Sequence, residues 1–304
     1  MAIAKRIFLF LAMNLLVVLM VTLVLDLLHV KPYLTAYGLN LRSLAIFCLI
    51  WGMSGALISL ALSRIMAKWM MRVELIDPMT KDPELKNLVE IVKRLCRLAD
   101  VPLPQIGVYR SNEVNAFATG PTKNRALIAV STGLLNRMRE PEIEGVIGHE
   151  ISHIANGDMV TMTLLQGVVN AFVMFLARAL AYVVSGFGRG RSNESSSGGS
   201  YMSYMLFVYL FEVIFMILGS LIIAAYSRFR EFRADRGGAH LASKGSMIAA
   251  LRALQAFQEA KDPRTEKPAL AAFKISHSGK KGLLSLFASH PPLEERIARL
   301  EKTG

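Results

Sequence analysis

Four apolar runs, each long enough to cross a lipid bilayer, constrain the fold of this chain more than any other feature. They cover residues 7–25, 44–62, 160–184 and 205–226. The third run carries one charged residue, Arg178, and the fourth carries Glu212. Every backbone polar group of a span must be satisfied internally, so each run is predicted to be a helix. The hydrophobic content of 53%, high for a soluble protein, supports a mainly α-helical integral membrane protein.

Basic residues beside these runs predict the orientation of the chain, because Lys and Arg concentrate in short cytoplasmic flanks. One side of the membrane receives nine of them: Lys5, Arg6, Arg64, Lys68, Arg72, Arg228, Arg230, Arg233 and Arg236. The other side receives four: Lys31, Arg42, Arg189 and Arg191. The first side is therefore predicted to be cytoplasmic, together with both termini. This anchoring also explains the net charge of +12, and no nucleic-acid partner is predicted.

The runs divide the chain into four parts. The boundaries are 1–62 for two N-terminal transmembrane helices, 63–159 for a first cytoplasmic part, 160–226 for a transmembrane hairpin and 227–304 for a second cytoplasmic part. The two cytoplasmic parts are predicted to form one α+β domain with a small sheet. Arg178 and Glu212 lie at matching depths of the hairpin, so we expect a structural ion pair; an ion pathway is the alternative.

A helix is predicted at residues 141–155, just before the third run. Pro141 suits the first helical position, where a missing N–H costs nothing. Gly157 suits the left-handed residue that closes a helix. Asp158 is then expected to cap the helix that follows.

This helix carries two histidines four residues apart, His149 and His153, with Glu150 directly after the first. Imidazoles at i and i+4 share one helix face and can bind the same metal ion. Glu150 is turned by about 100° from His149, which suits a base that takes a proton from water better than a third ligand. The pattern predicts a zincin-like domain with one Zn²⁺ per chain. The alternative is a polar helix face with two unrelated histidines.

Catalytic zinc needs a third protein ligand and an open position for water. In one class of zinc peptidases a third His follows ten residues after the first, but this chain has Met159 there, which excludes that class. Glu231 is the best candidate, because His153 lies seven residues before the third run and Glu231 five after the fourth, on the same membrane face. Asp235, one turn further, is expected to hold a ligating imidazole. The alternative for Glu231 is a counter-charge to nearby arginines: Arg228, Arg230, Arg233 and Arg236.

Three segments together resemble the HtpX membrane zinc proteases of bacteria, relatives of the CAAX prenyl proteases. They are His149-Glu-Ile-Ser-His-Ile-Ala-Asn-Gly-Asp158, Glu231-Phe-Arg-Ala-Asp235 and Ser289-His-Pro-Pro-Leu293. The resemblance runs over essentially the whole chain. It implies zinc bound by His149, His153 and Glu231, with Glu150 as the base. It also implies a bacterial inner-membrane enzyme that cleaves misfolded or damaged membrane proteins during stress, and self-cleavage.

The resemblance implies roles for two more residues. The family places Asn115 and His290 near the scissile carbonyl, where hydrogen-bond donors stabilise the oxyanion. Asn115 opens a segment that resembles the one beside the family's active-site cleft, and residues 126–130 are predicted to form a strand. A strand edge near zinc would pair with an extended substrate, whereas the alternative is an ordinary core strand. For His290 the alternative is a turn set by the two prolines that follow, before a helix at 293–300.

Two other classes of protein are alternatives to a membrane-bound zinc endopeptidase. A non-catalytic membrane scaffold or chaperone with a structural zinc would need four protein ligands, whereas three are visible. A transporter would need more polar residues within the spans than Arg178 and Glu212. The predicted function is therefore hydrolysis of peptide bonds in unfolded or damaged membrane proteins, by an enzyme anchored in the bilayer.

Overall fold

The computed structural model describes residues 27, 34–35, 38–187, 197–259, 288 and 290–302 of the 304. The predicted first span, 7–25, lies outside these residues, as do several of the basic flanks used to predict the orientation. The described part is mostly helical and contains a small mixed sheet, as predicted.

The elements alternate between strands and helices before a long helical region. In chain order the first are β1 (Leu34–Thr35), β2 (Gly38–Leu39), α1 (Leu41–Met71), β3 (Glu74–Leu75), α2 (Pro83–Leu98), β4 (Gln105–Tyr109) and β5 (Ala116–Thr119). They are followed by β6 (Leu127–Ser131), α3 (Thr132–Arg137), α4 (Glu140–Asn156), α5 (Asp158–Phe187), α6 (Ser197–Leu241), α7 (Lys244–Glu259) and α8 (Leu293–Lys302).

Three helices of the described residues, α1, α5 and α6, are long and apolar enough to cross a membrane. They contain the second, third and fourth predicted runs. Large apolar side chains on them are exposed, with Phe172 at 62% and Leu206 at 67%. A contiguous apolar surface of this kind is unfavourable in water and typical of contact with lipid.

The chain divides into two compact units, of which the first comprises Met1–Ser59 and Met162–Ile223. In this unit α1 and α5 approach so closely that a Cβ added to Gly52 would lie 2.6 Å from Ala171 N. Small residues allow such close packing of membrane helices. Between α5 and α6, Arg178 Nη1 lies 2.5 Å from Glu212 Oε1, and the guanidinium lies 5.8 Å from the ring centroid of Phe47. This packed pair favours the structural interpretation over an ion pathway.

We expect the single variant Arg178→Met to lower the melting temperature in detergent more than the double variant Arg178→Met/Glu212→Met. The two side chains are only 16% and 23% exposed. Removing one partner of a buried pair typically costs about 3–5 kcal/mol, because the other charge is left without a counter-charge. Removing both partners leaves no such charge. Equal losses in the single and double variants would contradict a structural role for the pair.

The second unit comprises Leu60–Thr161 and Ala224–Gly304 and contains a four-stranded sheet in the order β3-β4-β6-β5. β4 and β6 are parallel, and the other two pairings are antiparallel. β6, predicted at 126–130, is an interior strand whose five residues are all buried. The alternative of an ordinary core strand is therefore correct for this run, and the exposed strand edge expected there is wrong. β5 is an edge strand, since it pairs only with β6 among the described residues.

α4 is anchored to the sheet by one apolar stripe. Ile147, Ile151 and Ile154 of this helix belong to a buried cluster with residues of α2 and β6. At 100° per residue, His149 and His153 lie on the opposite side of α4, and Glu150 lies between the two sides. The stripe therefore determines which way the three side chains of the motif point.

Two glycines determine how α4 packs and where it ends. A Cβ on Gly145 would lie 2.4 Å from the backbone oxygen of Ser246, so only glycine permits the close approach of α4 and α7. Gly157 has φ +67° and closes α4, as predicted. The expectation for Asp158 was wrong. Asp158 is the first residue of α5. The N-cap position belongs to Gly157, whose carbonyl oxygen accepts the first hydrogen bond of the helix, from Thr161 N.

Candidate metal centre

Donor atoms of three side chains converge in the second unit: His149 and His153 from α4 and Glu231 from α6. The two Nε2 atoms are 3.1 Å apart. Glu231 Oε2 lies 3.5 Å from His149 Nε2, and Glu231 Oε1 lies 3.4 Å from His153 Nε2. The Glu231 side chain is 1% exposed, so the three donors meet in a buried environment.

These separations fit a four-coordinate metal ion. Tetrahedral bonds of about 2.0–2.1 Å place ligand atoms about 3.3 Å apart. The three distances between donors, 3.1, 3.4 and 3.5 Å, lie close to that value. Two nitrogens and one carboxylate are also the donor set typical of a catalytic zinc.

Two carboxylates orient the imidazoles. Asp235 Oδ1 lies 3.0 Å from His149 Nδ1, and Asp158 Oδ2 lies 2.7 Å from His153 Nδ1. Because each Nδ1–H donates to a carboxylate, both Nε2 lone pairs are directed at the same point. Lone pairs and a carboxylate converging in this way repel one another unless a positive charge lies among them, so the arrangement fits a bound cation.

Each of these carboxylates is held in turn by an arginine. Arg296 of α8 donates two hydrogen bonds to the carboxylate of Asp235, from Nε at 2.8 Å and from Nη2 at 2.5 Å. Arg233 of α6 donates from Nη2 to Asp158. Asp158, Asp235 and Arg296 are all buried, so the charges in this network are partly shielded from water.

The pKa values of His149 and His153 are both raised, which shows that the surrounding carboxylates favour a positive charge at this site. Burial alone would lower the pKa of His149, but hydrogen bonds to Asp235 and Glu231 outweigh it and raise the pKa to about 9. Burial likewise opposes protonation of His153, and hydrogen bonds to Asp158 and Glu231 raise its pKa nonetheless. The carboxylates thus favour a cation between the rings, which protons supply when no metal is bound.

Glu150 lies at the free edge of the sheet. Its Oε2 accepts a hydrogen bond of 2.7 Å from Ala118 N in β5. The carbonyl oxygen of Asn115 accepts from Ser131 N, at the start of the pairing between β5 and β6. Backbone groups alternate in direction along a strand, so those of Ala116 and Ala118 point away from β6. The carboxylate of Glu150 therefore adjoins a strand edge that can pair with another chain.

A cavity of about 150 Å³ brings the remaining predicted residues to the same place. Its lining includes Asn115, Glu150 and His290 together with His149 and Glu231. His290 Nδ1 lies 2.9 Å from Glu231 Oε2, so this imidazole also contacts the group of converging donors.

The surroundings of Glu231 contain cations as well as imidazoles. Arg230 Nη2 lies 3.4 Å from Oε1, and Arg296 Nη1 lies 3.8 Å from Oε2. Among the arginines proposed as alternative partners, Arg230 alone has a described ion pair with Glu231, whereas Arg233 pairs with Asp158. Both carboxylate oxygens of Glu231 nevertheless face an imidazole nitrogen.

Three residues of this network were missed by sequence reasoning: Asp158, Arg233 and Arg296. Asp158 had a usable signal, since an acidic residue just past the end of the motif helix can fold back onto the second histidine. The sequence contains no comparable signal for Arg296, because this residue lies 61 positions from Asp235 and on a helix with ordinary amphipathic spacing.

We expect Asp158→Asn to weaken metal binding about 10- to 100-fold, the usual effect of losing a carboxylate that orients a ligating imidazole. Asn still fills the site, but it no longer attracts the Nδ1 proton of His153 as a carboxylate does. Competition with a chromophoric chelator measures the affinity. Asp82→Asn is the matched control, because Asp82 caps α2 through its side chain and Asn caps a helix equally well. Unchanged metal affinity in Asp158→Asn would contradict the orienting role.

A metallopeptidase built into a membrane is the class of protein that the apolar helices, the paired imidazoles and the sheet edge together define. Residues 82–304 match peptidase family M48. The chain is 46% identical over 301 residues to "Protease HtpX homolog" of Methylacidiphilum infernorum, covering 98% of both chains. It is 50% identical over 296 residues to "Protease HtpX homolog" of Thiobacillus denitrificans, covering 97% of this chain and 98% of that protein. The chain belongs to peptidase family M48 and, within it, to the HtpX proteases: it is a membrane-bound metalloprotease.

The fold has a counterpart among solved structures. The crystal structure of S. mikatae Ste24p matches with a TM-score of 0.67 at 20% identity. The match covers 99% of this chain and 65% of that one, so this chain is similar in fold to about two-thirds of the longer protein.

Proposed function

We propose that this protease is a zinc endopeptidase of the bacterial inner membrane, which hydrolyses misfolded or damaged membrane proteins at the cytoplasmic face. The convergence of His149 Nε2, His153 Nε2 and the Glu231 carboxylate, 3.1–3.5 Å apart, carries this proposal. Three protein ligands leave one position for water, as in catalytic zinc sites. A scaffold with a structural zinc would need a fourth ligand, and no other described His, Cys, Asp or Glu joins this group.

The residues of the site take distinct roles in the proposed reaction. His149, His153 and Glu231 hold the metal, while Asp235 and Asp158 keep the two imidazoles in place. When bound, zinc supplies a Lewis acid that acidifies water and polarises a peptide carbonyl. Glu150 accepts the proton of the attacking water and then donates it to the leaving amine.

Two further residues are proposed to stabilise the carbonyl oxygen as it becomes negative. Asn115 and His290 line the same cavity as Glu150, and Asn115 is exposed to an incoming chain. The side-chain amide of Asn115 and the ring of His290 are the groups proposed for this task. The contact between His290 and Glu231 holds the ring against the metal centre.

Substrate is proposed to bind as an added strand on β5. The outward backbone groups of Ala116 and the outward carbonyl of Ala118 remain for this pairing, since Ala118 N already donates to Glu150, and both alanine side chains are small. Main-chain pairing of this kind gives affinity with little sequence preference, but it requires an extended segment. Unfolded or damaged proteins provide such segments, and an exposed stretch of a second copy would permit self-cleavage.

Metal-dependent cleavage of an unfolded protein tests the proposal. We expect the purified protein in detergent to contain one zinc per chain and to cleave a casein-type substrate. A chelator should abolish cleavage, and added zinc should restore it. Binding of casein without cleavage would instead favour the scaffold or chaperone, and cleavage that resists the chelator would contradict the metal mechanism.

The cytoplasmic orientation has its own test. A fluorescent reporter that matures only in the cytoplasm, fused after Gly304, is expected to be bright, because the basic flanks predict cytoplasmic termini. A dark reporter with a normal amount of fusion protein in the membrane would contradict this orientation.

A further inference from the structure

The segment before β5, residues 111–115, brings Asn115 to the cavity beside Glu150. Asn112, Glu113 and Asn115 are exposed, and an exposed segment has few contacts to fix its backbone. A side chain that must meet the oxygen of a reacting carbonyl has to be in place before the substrate arrives, since a misplacement of about 1 Å costs about 10²-fold in rate. The contacts that hold this segment therefore bear on the reaction.

One buried hydroxyl, that of Ser131, holds the end of the segment. Ser131 is the last residue of β6 and is fully buried. Its Oγ donates to the carbonyl oxygen of Glu113 at 2.6 Å and accepts from Asn115 N at 3.1 Å. It also accepts from Leu134 N at 3.0 Å, as the N-cap of α3. A hydroxyl has one proton and two lone pairs, so its whole hydrogen-bonding capacity is used here.

The Ser131 hydroxyl takes the place of a main-chain acceptor at the end of the ladder between β5 and β6. The register places Asn115 opposite Ser131, and Ser131 N donates to Asn115 O at 2.9 Å. A hydrogen-bonded pair in an antiparallel ladder exchanges two such bonds. The carbonyl oxygen of Ser131 is committed to α3, because the carbonyl of an N-cap residue accepts the first bond of its helix. The side chain therefore provides the acceptor for Asn115 N.

The other end of the segment is tied to Thr132 and Gly133. Thr132 Oγ1 accepts from Ser111 N at 3.1 Å and donates to Ser111 O at 3.0 Å. Gly133 N donates to the same carbonyl oxygen at 2.8 Å. A Cβ on Gly133 would lie 2.7 Å from the backbone of Asn112, so only glycine permits this close approach. The segment is thus held at both ends by consecutive residues at the junction of β6 and α3.

We propose that Ser131 and Thr132 are positioning residues of the peptidase reaction, which act by fixing Asn115 beside the carbonyl oxygen of the scissile bond. The proposal rests on the role proposed above for the Asn115 side chain. Ser131 touches no substrate itself, because its hydroxyl is buried and fully used within the protein. Its contribution to the rate passes through Asn115.

A double-variant cycle with Asn115 tests the proposal. The substrate is a fluorogenic peptide taken from a casein site that the wild-type protein cleaves. We expect kcat to fall about 10²- to 10³-fold in Asn115→Ala, the usual loss for one oxyanion donor. It should fall about 10- to 100-fold in Ser131→Ala, because Ser131 N still holds Asn115 O and the amide is displaced, not removed. KM and metal content should equal those of the wild type.

The combined variant separates positioning of Asn115 from general support of the fold. We expect its kcat to match that of Asn115→Ala within about threefold, since the group that Ser131 positions is already gone. Losses that multiply would overturn the proposal, because independent effects behave in that way. A loss of activity in Ser131→Ala that appears only in KM or in metal content would also overturn it.

Ser243→Ala is the matched control for the loss of a helix cap. Ser243 Oγ accepts from Ser246 N at the start of α7, and the described hydrogen bonds of this hydroxyl go to Ser246 alone. The variant therefore loses a serine cap, as Ser131→Ala does, while residues 111–115 keep their contacts. Its kcat should equal that of the wild type. An equal loss of kcat in the control and in Ser131→Ala would overturn the proposal.

Thr132→Val provides a milder test, which decides the matter if Ser131→Ala does not accumulate. Thr132 is half-buried, and Val has nearly the same shape without the hydroxyl. We expect kcat to fall about 3- to 10-fold, because the bonds from Oγ1 to Ser111 are lost while that from Gly133 N remains. Thr132→Ser keeps the hydroxyl and should retain the wild-type kcat. An unchanged kcat in Thr132→Val, or a loss that multiplies with that of Asn115→Ala, would overturn the proposal.

The outcomes separate this proposal from the function on which it rests. A wild-type kcat in Asn115→Ala overturns the role of Asn115 and of the two residues behind it, and leaves the peptidase function standing. No cleavage of casein or of any peptide by the zinc-loaded wild-type protein overturns both.

Discussion

Replacement of Glu150 by Gln is expected to reduce proteolysis about 10²- to 10⁴-fold and to leave the zinc content unchanged, because general acid–base catalysis contributes a factor of that size. Gln has nearly the same shape as Glu, and its carbonyl oxygen still accepts the hydrogen bond from Ala118 N that positions Glu150. The variant therefore keeps the contact with the sheet edge and loses only the ability to take and return a proton.

Two measurements on the same preparation check this expectation. kcat/KM on a casein-type substrate gives the loss of activity, and atomic absorption gives zinc per chain. Glu144→Gln is the matched control, because Glu144 lies on the same helix and pairs with Arg94 of α2 away from the cavity. Its activity should equal that of the wild type. Normal turnover by the Glu150→Gln protein would refute the assignment of the base.

Loss of zinc and of activity together is expected for Glu231→Ala. The carboxylate faces both imidazole nitrogens and is 1% exposed, so its removal leaves two ligands where catalytic zinc usually has three. The loss of zinc affinity should exceed the factor of about 100 that is typical for a carboxylate acting only through an imidazole. Competition with a chromophoric chelator measures the affinity.

The alternative interpretation of Glu231 predicts a different result. If its main task were to neutralise Arg230 and Arg296, Glu231→Ala would destabilise the fold but retain zinc at one per chain. Melting temperature and zinc content must therefore be measured together. Glu90→Ala, an exposed glutamate on α2, controls for the loss of a negative charge and should bind zinc normally. Full zinc occupancy in Glu231→Ala would remove this residue from the ligand set.

Features that depend on short-range geometry were predictable from the sequence. The histidine pair at i and i+4 and the left-handed Gly157 follow from the geometry of one helix and one helix end. The limits of the motif helix were predicted to within one residue at each end, 141–155 against Glu140–Asn156. The helix after the two prolines, predicted at 293–300, is α8. In each case the decisive interactions join residues no more than a few positions apart.

The positions of Glu231 and Asp235 near the histidine helix depend on the path of the chain through the membrane. The lengths of the third and fourth runs brought both near the histidine helix before any contact was known, because a hairpin returns the chain to the same membrane face. A hairpin positions a residue only to within a helical turn or two and does not determine which atoms meet. The distances of 3.4 and 3.5 Å between Glu231 and the imidazole nitrogens are a property of packing.

The membrane helices and the histidine pair of the motif helix follow from the sequence alone, since apolar length and a four-residue spacing need no partner to be recognised. Tertiary packing, in contrast, brings Arg296 to Asp235, Arg233 to Asp158 and an apolar pocket to Glu150. Arg296 lies 61 positions from Asp235, and Arg233 lies 75 positions from Asp158. Which distant segments meet depends on how whole helices pack against one another, and no local pattern records that choice.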